Sequence, residues 1–197
     1  MTHVVVDLET LSNDVRHGVI IAIGAVAFDM ATSIPTERPS TRLFYRPVER
    51  ASQAQFDMTE DDATYGWWTN TEEKRTLIES ILHAPDRVSL ASAFIEFKVW
   101  FEQQGKYGEV MLWSHGVTYD CMHLSEKWPI VMGKKFNDVC PYKLLRDTRT
   151  LFACYESAVG HELVYIPPKI KHHALEDAIA TAISIQHAWN TLTGGKA

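Results

Sequence analysis

Ten consecutive residues, Val19 to Phe28, carry no polar side chain. The run is too short to cross a bilayer, which takes about 20 apolar residues. Its β-branched content and polar flanks instead read as a buried strand. Val4-Val5-Val6 gives a second strand, His3 to Leu8, and Thr41 to Val48 a third, with Pro47 placing its end at an edge or a bulge. The chain therefore opens on a three-stranded meander.

Helical spacing follows. Thr59 with Asp62, and Asn70 with Glu73, offer capping pairs, and Leu77, Ile78, Ile81 and Leu82 keep one helical face. Ser89 opens a second amphipathic helix carrying Phe94, Phe97, Val99, Trp100 and Phe101. Val110 to Trp113 is a fourth strand, which runs through Ser114-His115-Gly116 into a helix starting near Tyr119. Pro141 suits the first turn of another helix reaching about Ser157. Val164 to Pro168 reads as a loop or edge segment, and a last helix runs from about His172 to Thr191. Strands, helices, a strand and helices again make an α/β pattern with a mixed sheet. A length of 197 residues fits one domain, expected over residues 1–193, with 194–197 a flexible tail from Gly194-Gly195.

A net charge of −6 argues against a protein that coats DNA through a basic surface. The charge is unevenly placed. From Lys127 to Lys171 there are eight basic and four acidic residues, a local +4 against −10 elsewhere. Such a segment suits local phosphate contact, or simply a solvated face. Cys121, Cys140 and Cys154 have no C-x-x-C spacing, so reduced thiols are expected. The first strand begins almost at Met1, leaving no room for a signal peptide. A soluble cytoplasmic protein without a membrane partner is the expectation.

Asp7 and Glu9, two apart at the end of the first strand, point to the same side of it. Two carboxylates ~4 Å apart repel by about 4 kcal/mol at an effective dielectric near 20, and divalent cations are the simplest remedy. Asp120 lies where the fourth strand passes into a helix, at the strand-end crevice where open α/β sheets place ligands; a plain helix cap is the competing reading. His172-His173-Ala174-Leu175-Glu176-Asp177 opens the last helix and sets an imidazole beside an acid. Histidine titrates near neutrality and can take a proton from water. A surface helix start with His–Glu pairing would look similar.

Together these motifs resemble the DEDDh, DnaQ-like 3′–5′ exonucleases of the ribonuclease H-like superfamily. The likeness rests on Asp7-Leu8-Glu9-Thr10, Ile23-Gly24-Ala25-Val26, Trp67-Trp68, Trp113 to Asp120, Arg146-Asp147-Thr148-Arg149-Thr150 and His172 to Asp177. It points most closely to the phage exonuclease A group and related bacterial 3′–5′ exoribonucleases. Relatives often carry Met-Gly where this chain has Leu11-Ser12, and Asn where it has His115. The resemblance implies a ribonuclease H-like fold with about five strands, flanked by helices. It also implies two Mg²⁺ or Mn²⁺ ions on Asp7, Glu9, Asp120 and Asp177. His172 is then the general base, since the family spacing sets the base five residues before the acid. Simple i,i+4 helical geometry would instead select His173.

Around that centre, Thr10, Leu11, Trp68, Tyr119, Arg146 and Arg149 are substrate-binding candidates. Leu11 resembles the apolar wedge beside the terminal base. Trp67 and Trp68 cannot face the same way on a helix, and Trp68 is the stacking candidate, with core packing of both as the alternative. Tyr119 either stacks on a base or packs on the sheet. Arg146 and Arg149, read as one helical turn apart, suit a phosphate, with Asp147 orienting one of them. The expected reaction removes 5′-mononucleotides from the 3′ end of single-stranded DNA; RNA is the second reading, and a catalytically silent nucleic-acid binder the third. Oligomeric state stays open, and a dimer is compatible with it.

Overall fold

The computed structural model describes residues 1–37, 39–105 and 109–195. Five strands form one sheet: β1 (Thr2–Thr10), β2 (Ile20–Phe28), β3 (Leu43–Pro47), β4 (Val110–Ser114) and β5 (Leu145–Asp147). Their order is β3-β2-β1-β4-β5. The first three pair antiparallel, as a meander must, and β4 and β5 join parallel to β1. The described residues also form six α-helices: α1 (Asp62–Thr69), α2 (Glu72–Leu82), α3 (Leu90–Gln104), α4 (Asp120–Met132), α5 (Thr148–Val159) and α6 (Ala174–Thr193).

Period-2 geometry divides the apolar residues of β1 between two layers. Val4, Val6 and Leu8 face α3 and α4, where Phe94 stacks on Trp128 with ring centroids 4.7 Å apart. Val5 faces α5 and α6, packing with Ile179, Ala182 and Ile185. A third cluster, with Leu11, Ile21, Trp68, Ile78 and Ile81, lies under α1 and α2. Both faces of β2 are covered, and all nine of its residues are buried. This is why its sequence runs apolar without alternation.

Several boundaries differ from the sequence reading. Asp61, not Thr59, caps α1 by accepting from Thr64 N, and Thr71, not Asn70, caps α2 through Lys74 N. Ser89 caps α3 as expected. The single helix expected from Pro141 to Ser157 is broken: residues 142–144 form a 3₁₀ turn, β5 follows, and α5 starts only at Thr148. That strand is the fifth of the sheet, while Val164 to Pro168 is loop. Gly194 ends α6 at a left-handed φ of 65°, and the rest of the expected tail, Lys196 and Ala197, lies outside the described residues. No helix among the described residues is long and apolar enough to cross a membrane.

Candidate active site

β1 outruns β4: their pairing ends at Val5 with Trp113, and β1 continues for five residues. Asp7 and Glu9 lie on this overhang, on the α6 side. Asp7 pairs in register with Gly24 of β2. Gly24 in turn lets the first turn of α6 lie directly on the sheet, which brings Asp177 to the carboxylates of β1. One oxygen from each of Asp7, Glu9 and Asp177 lies within 4.8 Å of the others. Asp120, the first residue of α4, reaches across from the β4 side. Its Oδ1 accepts the Leu8 N–H at 3.1 Å, so it ties α4 to β1 rather than serving as a plain cap. All four carboxylates line one cavity of about 260 Å³ with His115, Tyr165, His172 and Thr181.

The electrostatics are those of crowded, buried acids. Burial raises Asp7 well above the carboxylate range, and the charges of Asp120 and Asp177 push it further. Glu9 is raised in the same direction by burial and then by Asp7, Asp177 and Asp120. Asp120 rises to about 7 through burial, although the Leu8 N–H and Arg149 pull the other way. Asp177 rises to about 6 by burial, opposed by the backbone N–H groups of His172 and His173. Glu9 Oε1 is buried with no hydrogen-bond partner among the described residues. An orphaned carboxylate oxygen within an all-oxygen donor set fits a hard divalent cation.

The two histidines part company here. His172 precedes α6 in a left-handed conformation, φ 64°, unusual for a side-chain-bearing residue and a mark of local strain. That twist turns its ring into the carboxylate cavity, edge-on to Trp67 at 4.8 Å. Burial lowers its pKa below the ordinary value, and Lys74 and Lys171 add to the effect. His173 occupies the N-cap position of α6 and stacks on Tyr45, with centroids 4.5 Å apart and planes at 19°.

A second chamber of about 460 Å³ adjoins the first, sharing Leu8, Glu9 and Tyr119 with it. Thr10, Asn13, Thr64, Trp67 and Trp68 also line it. Tyr119 Oη lies 2.7 Å from Thr10 Oγ1 and donates to Asn13 Oδ1 at 3.3 Å.

The remaining substrate candidates divide. Leu11 is fully buried in the third cluster, so it cannot wedge against a base. Trp68 is 2% exposed, and its indole N–H donates to Thr10 O; the exposed indole is that of Trp67, at 42%. Arg146 sits on β5, not on a helix with Arg149, and its guanidinium folds back onto Lys143 O and Leu145 O. Arg149, on α5, lies against the Gly116 turn close enough to act on Asp120 and His115. Asp147 orients neither guanidinium: it caps α5 through Arg149 N and holds Val117 N.

Tyr165 and Thr181 of the cavity escape the sequence reading, in which His115 figures only as a departure from relatives. Tyr165 Oη lies 3.0 Å from Thr181 Oγ1, and His115 Nδ1 lies 2.9 Å from Thr148 Oγ1. Thr181, one turn beyond Asp177 on α6, was within reach of helical spacing. Tyr165 sits on a loop and carries no local signal.

Residues 2–189 match the 3′–5′ exoribonuclease Rv2179c-like domain. No curated protein matches the chain by sequence. Among solved structures, exonuclease I from Methylocaldum szegediense superposes with a TM-score of 0.63 at 11% identity, over 98% of this chain and 43% of that one. S. pombe Pop2p in its Mg²⁺- and Mn²⁺-bound form gives 0.60 at 14%, over 98% and 85%. Cell-death related nuclease 4 gives 0.51 at 15%, over 96% and 64%. The chain thus spans less than two thirds of the nuclease and less than half of the exonuclease I. At these identities the likeness is one of fold, the mixed five-stranded, helix-flanked sheet of the ribonuclease H-like type.

Proposed function

The chain belongs to the 3′–5′ exoribonuclease Rv2179c-like domain family, and from that premise we propose that it removes 5′-mononucleotides from the 3′ end of single-stranded RNA. It is a 3′–5′ exonuclease of the DEDDh type, a phosphodiester hydrolase. One observation carries the metal-dependent part of this reading: carboxylate oxygens of Asp7, Glu9 and Asp177, from β1 and α6, meet within 4.8 Å of one another, and Glu9 Oε1 is buried with no partner among the described residues.

Asp7, Glu9, Asp120 and Asp177 would hold two Mg²⁺ or Mn²⁺ ions. When bound, such ions supply Lewis acidity and make water acidic enough to attack near neutral pH. His172, whose neutral form burial favours, takes the proton of the attacking water. The water oxygen bonds to phosphorus, the bond to the preceding nucleotide's 3′ oxygen breaks, and that oxygen takes up a proton from solvent to leave as a hydroxyl. Thr10, Asn13 and Tyr119 line the seat of the terminal nucleoside, with the exposed Trp67 ring available for stacking. Arg149 meets a phosphate.

RNA takes precedence over the DNA expected from sequence because the matched family is described as exoribonucleases. Likeness to the phage exonuclease A group keeps single-stranded DNA as the second reading. A silent binder is disfavoured, since binding alone gives no reason to crowd four carboxyl groups into one cavity at the cost of burying them. A cytoplasmic location accompanies the proposal. Digestion of matched 5′-labelled RNA and DNA strands, with and without Mg²⁺ or Mn²⁺, tests it. Stepwise shortening from the 3′ end, metal-dependent and faster on RNA, is expected. Equal rates, or a preference for DNA, would overturn the RNA assignment, and an absence of shortening would overturn the activity.

A further inference from the structure

Lys127, on α4, is fully buried, as is His123 one turn before it. A buried ammonium ordinarily has a carboxylate partner. Among the described residues Lys127 forms no such ion pair. Its Nζ donates instead to Val15 O at 2.6 Å and to Asp14 O at 3.3 Å, and lies 2.8 Å from His123 Nδ1. Burial lowers the Lys127 pKa to about 7, and the three acceptors match the three protons of its charged form. Burial holds His123 neutral, with its pKa lowered to about 3, which leaves Nδ1 free to accept.

Both carbonyls belong to the loop between β1 and β2. That loop is wound on Asp14, whose Oδ1 accepts from Arg16 N and His17 N and whose carbonyl accepts from Gly18 N. The same winding leaves the carbonyls of Asp14 and Val15 facing α4. One residue earlier, Asn13 faces the chamber and takes the Tyr119 hydroxyl. The Tyr119 ring rests edge-on against His123 at 4.7 Å. A closed circuit results, from Lys127 through His123 to Tyr119, on to Asn13, and back through Asp14 and Val15 to Lys127.

We propose that Lys127 is a positioning residue that clamps the β1–β2 loop to α4, holding Thr10, Asn13 and Tyr119 as the wall of the chamber beside Glu9. The proposal rests on reading that chamber as the seat of the 3′-terminal nucleotide. A methionine would fill the same space without the desolvation penalty of a charge, so space-filling alone gives no reason for a lysine here. Three directed hydrogen bonds do, because each sets the position of a group that an apolar contact would leave free to slide.

Three variants test the clamp, each measured for thermal midpoint, Mn²⁺ affinity and the kcat and KM of mononucleotide release from a labelled oligoribonucleotide. In Lys127→Met the midpoint and Mn²⁺ affinity should hold while KM rises roughly tenfold, as expected for the loss of well-placed hydrogen bonds, with kcat little changed. Lys127→Gln keeps two N–H donors and should bring KM back towards wild type. Wild-type KM in Lys127→Met, or an equal rise in both variants, overturns the proposal. If Lys127→Met does not fold, Asp14→Ala unwinds the clamped loop at an exposed residue outside the chamber: raised KM at unchanged stability supports the clamp, and unchanged KM overturns it. Failure of the underlying reaction looks different, because the wild type itself would then release no mononucleotide.

Discussion

Gly24 of β2 meets the backbone of Ala174 so closely that a β-carbon on Gly24 would stand 2.2 Å from the Ala174 carbonyl carbon. Asp7 is the register partner of Gly24 on β1, and Asp177 lies one turn beyond Ala174 on α6. The absence of a side chain at Gly24 therefore sets how near two of the carboxylates come. In Gly24→Ala, α6 must lift from the sheet. A loss of about 1–3 kcal/mol in denaturant unfolding is expected, as for other overpacked cores, with a larger proportional loss of activity. Wild-type stability and rate would contradict this contact.

His172 and His173 are neighbours in sequence but not in role. Only His172 lines the carboxylate cavity, while His173 stacks on Tyr45. His172→Ala should lower kcat by roughly 10²–10⁴, the range for a lost general base. His173→Ala should leave kcat within a few-fold and show its effect in the thermal midpoint. Single-turnover rates of the two variants would expose a reversed assignment.

The adjacent indoles should separate along the same lines. Trp68 is buried and bonded to Thr10 O, so Trp68→Ala should cost about 3–5 kcal/mol of stability. Trp67 is exposed at the chamber, with Lys74 Nζ 3.6 Å from its ring centroid. Trp67→Ala should fold normally and weaken oligonucleotide binding by ~1–3 kcal/mol if a base stacks there. Unchanged affinity would place the base elsewhere.

The raised carboxyls make stability depend on pH in a definite direction. Asp120 at about 7 and Asp177 at about 6 keep protons in the folded chain that the unfolded chain loses near the ordinary value of 3.8. The folded state then binds more protons between these values, so the contribution of these groups to metal-free stability is full below about 4, falls as pH climbs towards about 6 and 7, and levels off above them. Saturating Mn²⁺ should remove most of that fall. A thermal midpoint indifferent to pH between 5 and 8 without metal would contradict the crowding of these groups.

Much of this site was legible because its parts obey local rules. Asp7 and Glu9 share a side by strand period, Ser89 announces α3, and Ile78 and Ile81 keep a helical face. What escaped depends on contacts distant in sequence or on shifts of one residue. Thr59 and Asn70 have the capping chemistry of Asp61 and Thr71, and only the fold decides between near neighbours. β5 is three residues long and is a strand only because β4 lies beside it. Leu11 looks free on a loop, yet α1 and α2 close over it. Little around Lys127 signals burial: His123 lies one turn before it, but its other two partners are carbonyls more than a hundred residues away.

The most direct test of the whole reading is the anomalous diffraction of crystals soaked in Mn²⁺. Peaks are expected among the carboxylates of Asp7, Glu9, Asp120 and Asp177, at oxygen-coordination distances, with the Glu9 oxygen that now lacks a partner among the ligands. Manganese bound only elsewhere on the molecule, with these four side chains left bare, would contradict it.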